Sequence, residues 1–233
     1  MQSEKEKEAV NVPVGDGIND FIQKHRKPIF VSIGLILLSL IVFIIVLSVM
    51  DVVRARAISA VEEFNSRYET LLPSITEEYS EVDVEGLLAD LEAFARRNSG
   101  IATGYAAGKA WSIVANIHGQ KKDWPEAEAA WASAAKAANK TYLAPLAFFN
   151  AGAAAEEQGK TNEAIEYYSS SLTSAADFSS APRAQFAIGR LQESLGNNEA
   201  AIEAYRAVIS GWSYDRIWTS LAHSRIIALE AEE

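Results

Sequence analysis

The sequence predicts an all-α protein in which a single apolar helix near the N-terminus precedes an α-solenoid of helical hairpins. Three observations lead to this fold class. Residues 29–50 form an uncharged apolar run, the chain beyond residue 100 repeats with a period of 37, and the alternation of apolar and polar residues typical of strands is absent. We expect about three full repeats, with degenerate helices capping the apolar ends of the solenoid.

The apolar run is a candidate membrane-spanning helix. Residues 29–50 comprise 22 residues without a charged side chain. At about 1.5 Å per residue they form a helix of roughly 33 Å, close to the ~30 Å hydrocarbon core of a bilayer. A cleaved signal peptide has a shorter apolar core of about 7–15 residues, and a buried core helix rarely carries so long an uncharged run. The sequence therefore predicts one transmembrane helix in contact with the lipid bilayer.

Basic residues on either side of this run indicate its orientation. Lys24, Arg26 and Lys27 precede it, whereas Arg54 and Arg56 follow it. Under the positive-inside rule, three against two favours a cytoplasmic N-terminus, by a margin of one residue. The predicted segments are a cytoplasmic tail at 1–28, the transmembrane helix at 29–50, a juxtamembrane helical stalk at 51–82, and the repeat domain at 83–233.

The predicted stalk carries an apolar stripe. Its members recur at steps of three or four residues, so they share one face of a helix. They are Val53, Ala57, Ala60, Phe64, Tyr68 and Leu71. Two interpretations stay open: the stripe packs against the following domain, or it forms a coiled-coil seam, for which about three heptads are barely sufficient.

The repeat is defined by three columns of residues spaced 37 apart. One column holds a small residue, the next an alanine, and the third an aromatic residue four positions after that alanine. The columns are Ala115, Gly152 and Gly189; Ala127, Ala164 and Ala201; and Trp131, Tyr168 and Tyr205. Small residues allow two helices of a hairpin to approach closely, and the aromatic ring fills the volume between units. The pattern predicts that Ala164 and Ala201 are buried between paired helices.

These motifs resemble the tetratricopeptide repeat. The second copy is similar to the family pattern at Phe148, Gly152, Gly159, Ala164 and Tyr168. The resemblance covers roughly residues 100–212. It implies a helical solenoid that binds proteins or peptides, and it supports the all-α tetratricopeptide-repeat fold class.

The sequence also departs from that family. Gln185 replaces the usual aromatic residue in the third copy, and Lys122 stands where the turn glycine belongs in the first. The period is 37, against about 34 in the family. We expect the extra residues in the links between hairpins.

In tetratricopeptide solenoids the first helices of the hairpins line a concave groove. The resemblance therefore implies a partner-binding groove. Carried over position by position, its residues are Lys109, Ser112 and Asn116 in the first copy, Leu146, Phe149 and Glu156 in the second, and Arg183, Phe186, Arg190 and Glu193 in the third. Phe149 and Phe186 are the expected apolar anchors; the alternative is that both rings are buried between units or under the stalk.

Composition argues against other classes of function. The chain has 21 Lys and Arg against 31 Asp and Glu, a net charge of -10, so nucleic acid is not an expected partner. Cys is 0 and the 3 His are scattered, which leaves no thiolate metal site or cysteine nucleophile. Gly104 to Lys109 resembles a phosphate loop, but Ala110 replaces the hydroxyl residue that would hold magnesium. We predict no enzyme, no catalytic or metal-binding residues, and no cofactor.

The whole architecture is similar to the YfgM-like ancillary subunits of the bacterial SecYEG translocon. The resemblance rests on residues 23–28, 94–98 and 105–107. It implies a single-pass protein of the bacterial inner membrane whose periplasmic repeat domain is a co-chaperone or scaffold, with SecYEG or a periplasmic chaperone among its partners. Two alternatives are a stoichiometric scaffold subunit of an envelope assembly complex and an organellar import-type receptor with a cytosolic repeat domain.

Overall fold

The computed structural model describes residues 14–72 and 81–231, and the regular elements within these ranges are all α-helices. In chain order they are α1 Val14–Leu71, α2 Glu81–Arg97, α3 Gly104–Lys121, α4 Trp124–Ala137, α5 Leu143–Glu157, α6 Thr161–Ser174, α7 Ala181–Ser194, α8 Asn198–Gly211 and α9 Arg216–Glu230. The predicted all-α solenoid is confirmed. Residues 1–13 of the predicted tail and 73–80 of the predicted stalk lie outside the described residues.

The chain divides into two compact units, residues 1–51 and 52–233. The first contains most of the apolar part of α1. Side chains along residues 30–49 are exposed, and this helix is long and apolar enough to cross a membrane. The helix departs from regular geometry at His25 (φ -110, ψ 16), three residues before Pro28, because a proline removes one helical N–H and crowds the preceding turn.

The second unit begins with the last part of α1. Ala57 and Val61 are buried in a cluster with residues of α2 and α3, and Phe64, Tyr68 and Leu71 pack against it. The Phe64 ring meets Phe94 of α2 edge-on, with centroids 5.4 Å apart. Of the two interpretations of the apolar stripe, packing within the chain's own domain is therefore the one observed.

Three helical hairpins follow: α3 with α4, α5 with α6, and α7 with α8. Their internal turns are short, at 122–123, 158–160 and 195–197, whereas the links between hairpins are longer, at 138–142 and 175–180. Lys122, Gly159 and Gly196 occupy the same turn position with φ of 62, 72 and 75. Lys122 thus adopts the left-handed conformation that glycine tolerates without steric cost.

The repeat columns form the interior of each hairpin. Ala127, Ala164 and Ala201 are almost fully buried, as the pattern predicts. A Cβ on Gly189 would lie 2.6 Å from the Tyr205 ring, so the glycine is needed for the aromatic residue of its own hairpin. Tyr168 also belongs to a cluster with residues of α7, and its ring therefore fills space between hairpins too.

The glycines of the phosphate-loop resemblance have a packing role. A Cβ on Gly104 would lie 2.4 Å from the Ala137 carbonyl oxygen, and one on Gly108 would lie 2.5 Å from the Ala138 Cβ. Glycine at these positions allows α3 and the end of α4 to lie in close contact.

Candidate partner-binding groove

The predicted groove residues differ in how far their side chains are exposed to solvent. Asn116, Arg183 and Arg190 are exposed; Lys109, Leu146, Glu156, Phe186 and Glu193 are half-buried; and Ser112 and Phe149 are buried. The two expected anchors therefore differ. Phe149 is 6% exposed and packs with Tyr168 and Phe178, so it belongs to the core, whereas Phe186 retains an accessible face.

A pocket of about 330 Å³ lies between α5 and α7. It brings together five of the predicted groove residues: Phe149, Glu156, Arg183, Phe186 and Arg190. It also includes Trp218 of α9, whose ring centroid is 5.3 Å from that of Phe186. Sequence reasoning missed Trp218 because α9 stands outside the 37-residue columns; its one sequence signal is an aromatic residue on a predicted terminal helix.

Glu156 is held in place by two partners. The Tyr168 hydroxyl donates to Glu156 Oε1 at 2.6 Å, and the Arg190 guanidinium pairs with the other carboxylate oxygen. Burial and the neighbouring carboxylate raise the pKa of Tyr168. We call this arrangement a Tyr–Glu–Arg bridge, because it joins both helices of one hairpin to the first helix of the next.

A second Tyr–Glu–Arg bridge recurs one repeat later. Tyr205 donates to Glu193 Oε2 at 2.8 Å, and Arg225 Nε of α9 donates to the same oxygen at 3.1 Å. Burial alone raises the pKa of Glu193, but the hydrogen bonds from Arg225 and Tyr205 outweigh it, so the pKa lies below its ordinary value. Arg225 was not predicted, since it follows Arg190 by 35 residues and so falls outside the 37-residue columns.

Arg183 has a different environment from Arg190. Its guanidinium carbon lies 5.2 Å from the centre of the Phe149 ring, a cation–π contact. Within the described part of the chain, Arg183 forms no hydrogen bond or ion pair. Its five N–H donors therefore remain available to a carboxylate from outside the protein.

A second pocket, of about 400 Å³, lies between α3, α4 and α5. It shares Ala153 and Glu157 with the first, so the two pockets adjoin. Of the predicted residues, Asn116 lines it, together with Gln120, Trp124, Trp131 and Asn150. The aromatic column supplies Trp131, and the remainder was not predicted.

Four predicted residues line neither pocket. Lys109 is paired with Glu62 of α1, and the Ser112 hydroxyl donates to the Gly108 carbonyl at 2.9 Å. Leu146 is half-buried near the start of α5. Glu193 belongs to the second bridge. The predicted residues that line the pockets lie on α3, α5 and α7, and α4, α6 and α9 complete the lining with Trp124, Trp131, Tyr168 and Trp218.

Comparison with known proteins gives the same picture. The family model described as tetratricopeptide repeat matches residues 115–180 and, a second time, residues 149–216. A "TPR repeat-containing protein" of Treponema pallidum (strain Nichols) is 33% identical over 164 residues, which span 65% of this chain and 68% of that protein. The helical hairpins, their repeated columns and this similarity together show that the chain belongs to the tetratricopeptide-repeat family, whose fold mediates protein–protein interaction.

Proposed function

We propose that this protein is a membrane-anchored interaction scaffold that captures an extended segment of a partner protein in the groove formed by α3, α5 and α7. The observation that carries the proposal is the pocket between α5 and α7. It combines accessible aromatic surface on Phe186 and Trp218 with an arginine, Arg183, that has no carboxylate partner among the described residues.

This chemistry suits an apolar side chain next to a carboxylate. The aromatic pair supplies contact area, and the Arg183 guanidinium supplies paired donors for an acidic group. Glu156 and Glu193 do not oppose that charge strongly, because each is already paired with an arginine. The lining of the pocket also contains Glu157, so its charges balance, and Arg183 is the arginine of that lining that has no ion pair among the described residues.

The apolar part of α1 supports attachment to a bilayer. Residues 30–49 expose their apolar side chains, which in water carries a large hydrophobic cost. We propose that residues 29–50 span the membrane with the N-terminus in the cytoplasm. With that orientation the repeat domain is periplasmic, in the bacterial inner membrane, where it acts as a scaffold or co-chaperone for exported proteins near a SecYEG-type translocon.

Site-specific photo-crosslinking in intact membranes tests the partner. A photoreactive amino acid replaces Arg183 in the groove or, as a matched control, Glu203, which is exposed on α8. We expect crosslinks from position 183 to newly exported proteins or translocon subunits, identified by mass spectrometry. Crosslinks to one stoichiometric envelope protein would favour the assembly-scaffold alternative, and crosslinks from position 203 alone would contradict the groove.

Protease treatment of spheroplasts tests the orientation. We expect the repeat domain to be digested and the N-terminal tail to be protected. Protection of the repeat domain would reverse the topology and favour the import-type receptor alternative.

A further inference from the structure

The pocket between α3, α4 and α5 has an aromatic wall and an acidic residue in its lining. Trp124 and Trp131 are both half-buried and contribute to its wall. Amide side chains from Asn116, Gln120 and Asn150 border it. Among the residues that the structure describes, Glu157 is the one charged residue of its lining, and no lysine, arginine or histidine lines it.

The Glu157 carboxylate is available to a ligand. It is exposed, and within the described residues it forms no hydrogen bond or ion pair. Its neighbour Glu156 differs, because that carboxylate is occupied by Tyr168 and Arg190. The lining of this pocket therefore carries one unpaired carboxylate and no cation among the described residues, whereas the adjoining pocket combines the same carboxylate with Arg183 and with the paired Glu156 and Arg190.

Backbone dipoles add to this charge. The pocket is lined by residues from the last turns of α3 and α5, including Gly119 and Ala154, and the carbonyl end of a helix favours a cation. The start of α4, at Trp124, and the basic residues His118 and Lys121 in the last turn of α3 oppose this effect. The Glu157 carboxylate, more than the backbone, is therefore the group that selects a cation.

We propose that this pocket binds a cationic side chain, lysine or arginine, of the partner segment; the inference rests on the groove function proposed above. The cation lies against the tryptophan faces and forms a charge-assisted hydrogen bond with Glu157, while the amides bind the polar parts of the partner. An apolar occupant would remove water from part of the Glu157 carboxylate without pairing it, which is unfavourable. An anionic occupant would meet the carboxylate and no cation.

The spacing of the two pockets defines the partner further. They lie on successive hairpins and share Ala153 and Glu157. Because these two residues line both pockets, one extended segment can reach both of them. A spacing of about three residues, roughly 10 Å along an extended chain, is therefore the spacing that the probes below use.

Peptide binding to the full chain in detergent micelles tests this inference. The probes are fluorescent peptides with phenylalanine and glutamate at one end and lysine three positions away, made in both chain orders. Each has a twin in which the lysine is acetylated and so uncharged. We expect acetylation to weaken binding about tenfold in anisotropy titrations, and Glu157→Gln to abolish that difference. The matched control Glu166→Gln, on the exposed side of α6, retains it.

Each outcome supports or overturns a separate statement. Equal affinity of lysine and acetyl-lysine peptides would overturn the cation site and leave the groove proposal intact. A tenfold preference that survives Glu157→Gln would overturn the assignment of the carboxylate. If no peptide of either form binds, the groove function itself is wrong, and the cation site falls with it.

Discussion

The first hairpin, α3 with α4, differs from the two that follow it at equivalent positions. Where the later hairpins have a glutamate, Glu156 or Glu193, the first has Gly119. Where they have Tyr168 or Tyr205, the first has Trp131, which lacks a hydroxyl. Among the described residues, the Tyr–Glu–Arg bridge therefore forms at the second and third hairpins, whereas the first hairpin is joined to the second through Glu128 of α4, which accepts hydrogen bonds from Lys160 and Tyr167.

The comparison shows that the same hairpin backbone can either pair a carboxylate within the fold or border an open pocket. The turn between the two helices has a residue in the left-handed conformation in all three hairpins, so the hairpins share the same backbone geometry there. In the bridged hairpins the groove carboxylate is used inside the fold, where it fixes one hairpin against the next helix. In the first hairpin Trp131 borders an open pocket, and Glu157 of the next hairpin, which lines the same pocket, forms no ion pair among the described residues.

The largest expected difference between the first two hairpins is the effect on stability of replacing the side chain at the equivalent positions 112 and 149 by alanine. Ser112 and Phe149 are equivalent positions, and both are buried. Phe149→Ala removes a ring that packs on Tyr168 and Phe178, and we expect a loss of about 3–5 kcal/mol of unfolding free energy. Ser112→Ala removes a local hydrogen bond and should cost less than about 1 kcal/mol. Urea unfolding followed by circular dichroism measures both; similar losses would contradict a core role specific to Phe149.

The next largest loss of stability is expected from enlarging Gly189, which belongs to the repeat column of small residues. In Gly189→Val the new Cβ would lie within 2.6 Å of the Tyr205 ring, which is fully buried. We expect overpacking to cost about 2–3 kcal/mol. Gly86→Val on α2 is the control, since nothing lies within 4 Å of a Cβ there, and it should change stability by less than about 0.5 kcal/mol. Equal melting temperatures of the two variants would show that the hairpin interior is not packed as described.

Removal of one hydroxyl tests the bridge itself. Tyr205→Phe keeps the buried ring and deletes the 2.8 Å hydrogen bond to Glu193. Because the carboxylate retains Arg225, we expect a loss of only about 1 kcal/mol. The double variant Tyr205→Phe with Glu193→Gln should lose less than the sum of the single changes, since both act on one network. Strict additivity in thermal unfolding would mean that the tyrosine and the glutamate do not interact.

The smallest expected effect concerns how the free energy of unfolding depends on pH. The pKa of Glu193 is lower in the folded chain than its ordinary value of 4.5. Its contribution to stability is therefore complete above about pH 4.5 and is lost as the pH falls through the lowered pKa. Glu193→Gln should flatten this part of the curve of unfolding free energy against pH. An unchanged slope would show that the bridge does not perturb the carboxylate, and Glu203→Gln on α8 serves as the exposed control.

The repeat columns were predictable because their physical cause is local and periodic. A glycine or alanine, an alanine and an aromatic ring at fixed spacing specify close helix contact, and the burial of Ala164 and Ala201 follows from it. The lining of the pocket between α5 and α7 was predictable only in part. Arg183 and Phe186 line it, and Phe149, one repeat before Phe186, is largely buried there because the link residue Phe178 packs on its ring.

By itself, the sequence determined the helical class, the 37-residue period, the turn positions and the uncharged run at 29–50, since each depends on composition and spacing along the chain. Only the tertiary structure decided which charged groups are used within the fold. The pairing of Glu156 with Arg190 and of Glu193 with Arg225, and the unpaired state of Arg183 and Glu157 among the described residues, depend on which helices meet across a hairpin. Residues 32 to 34 positions apart become hydrogen-bonded neighbours, because helix packing sets that distance and sequence separation does not.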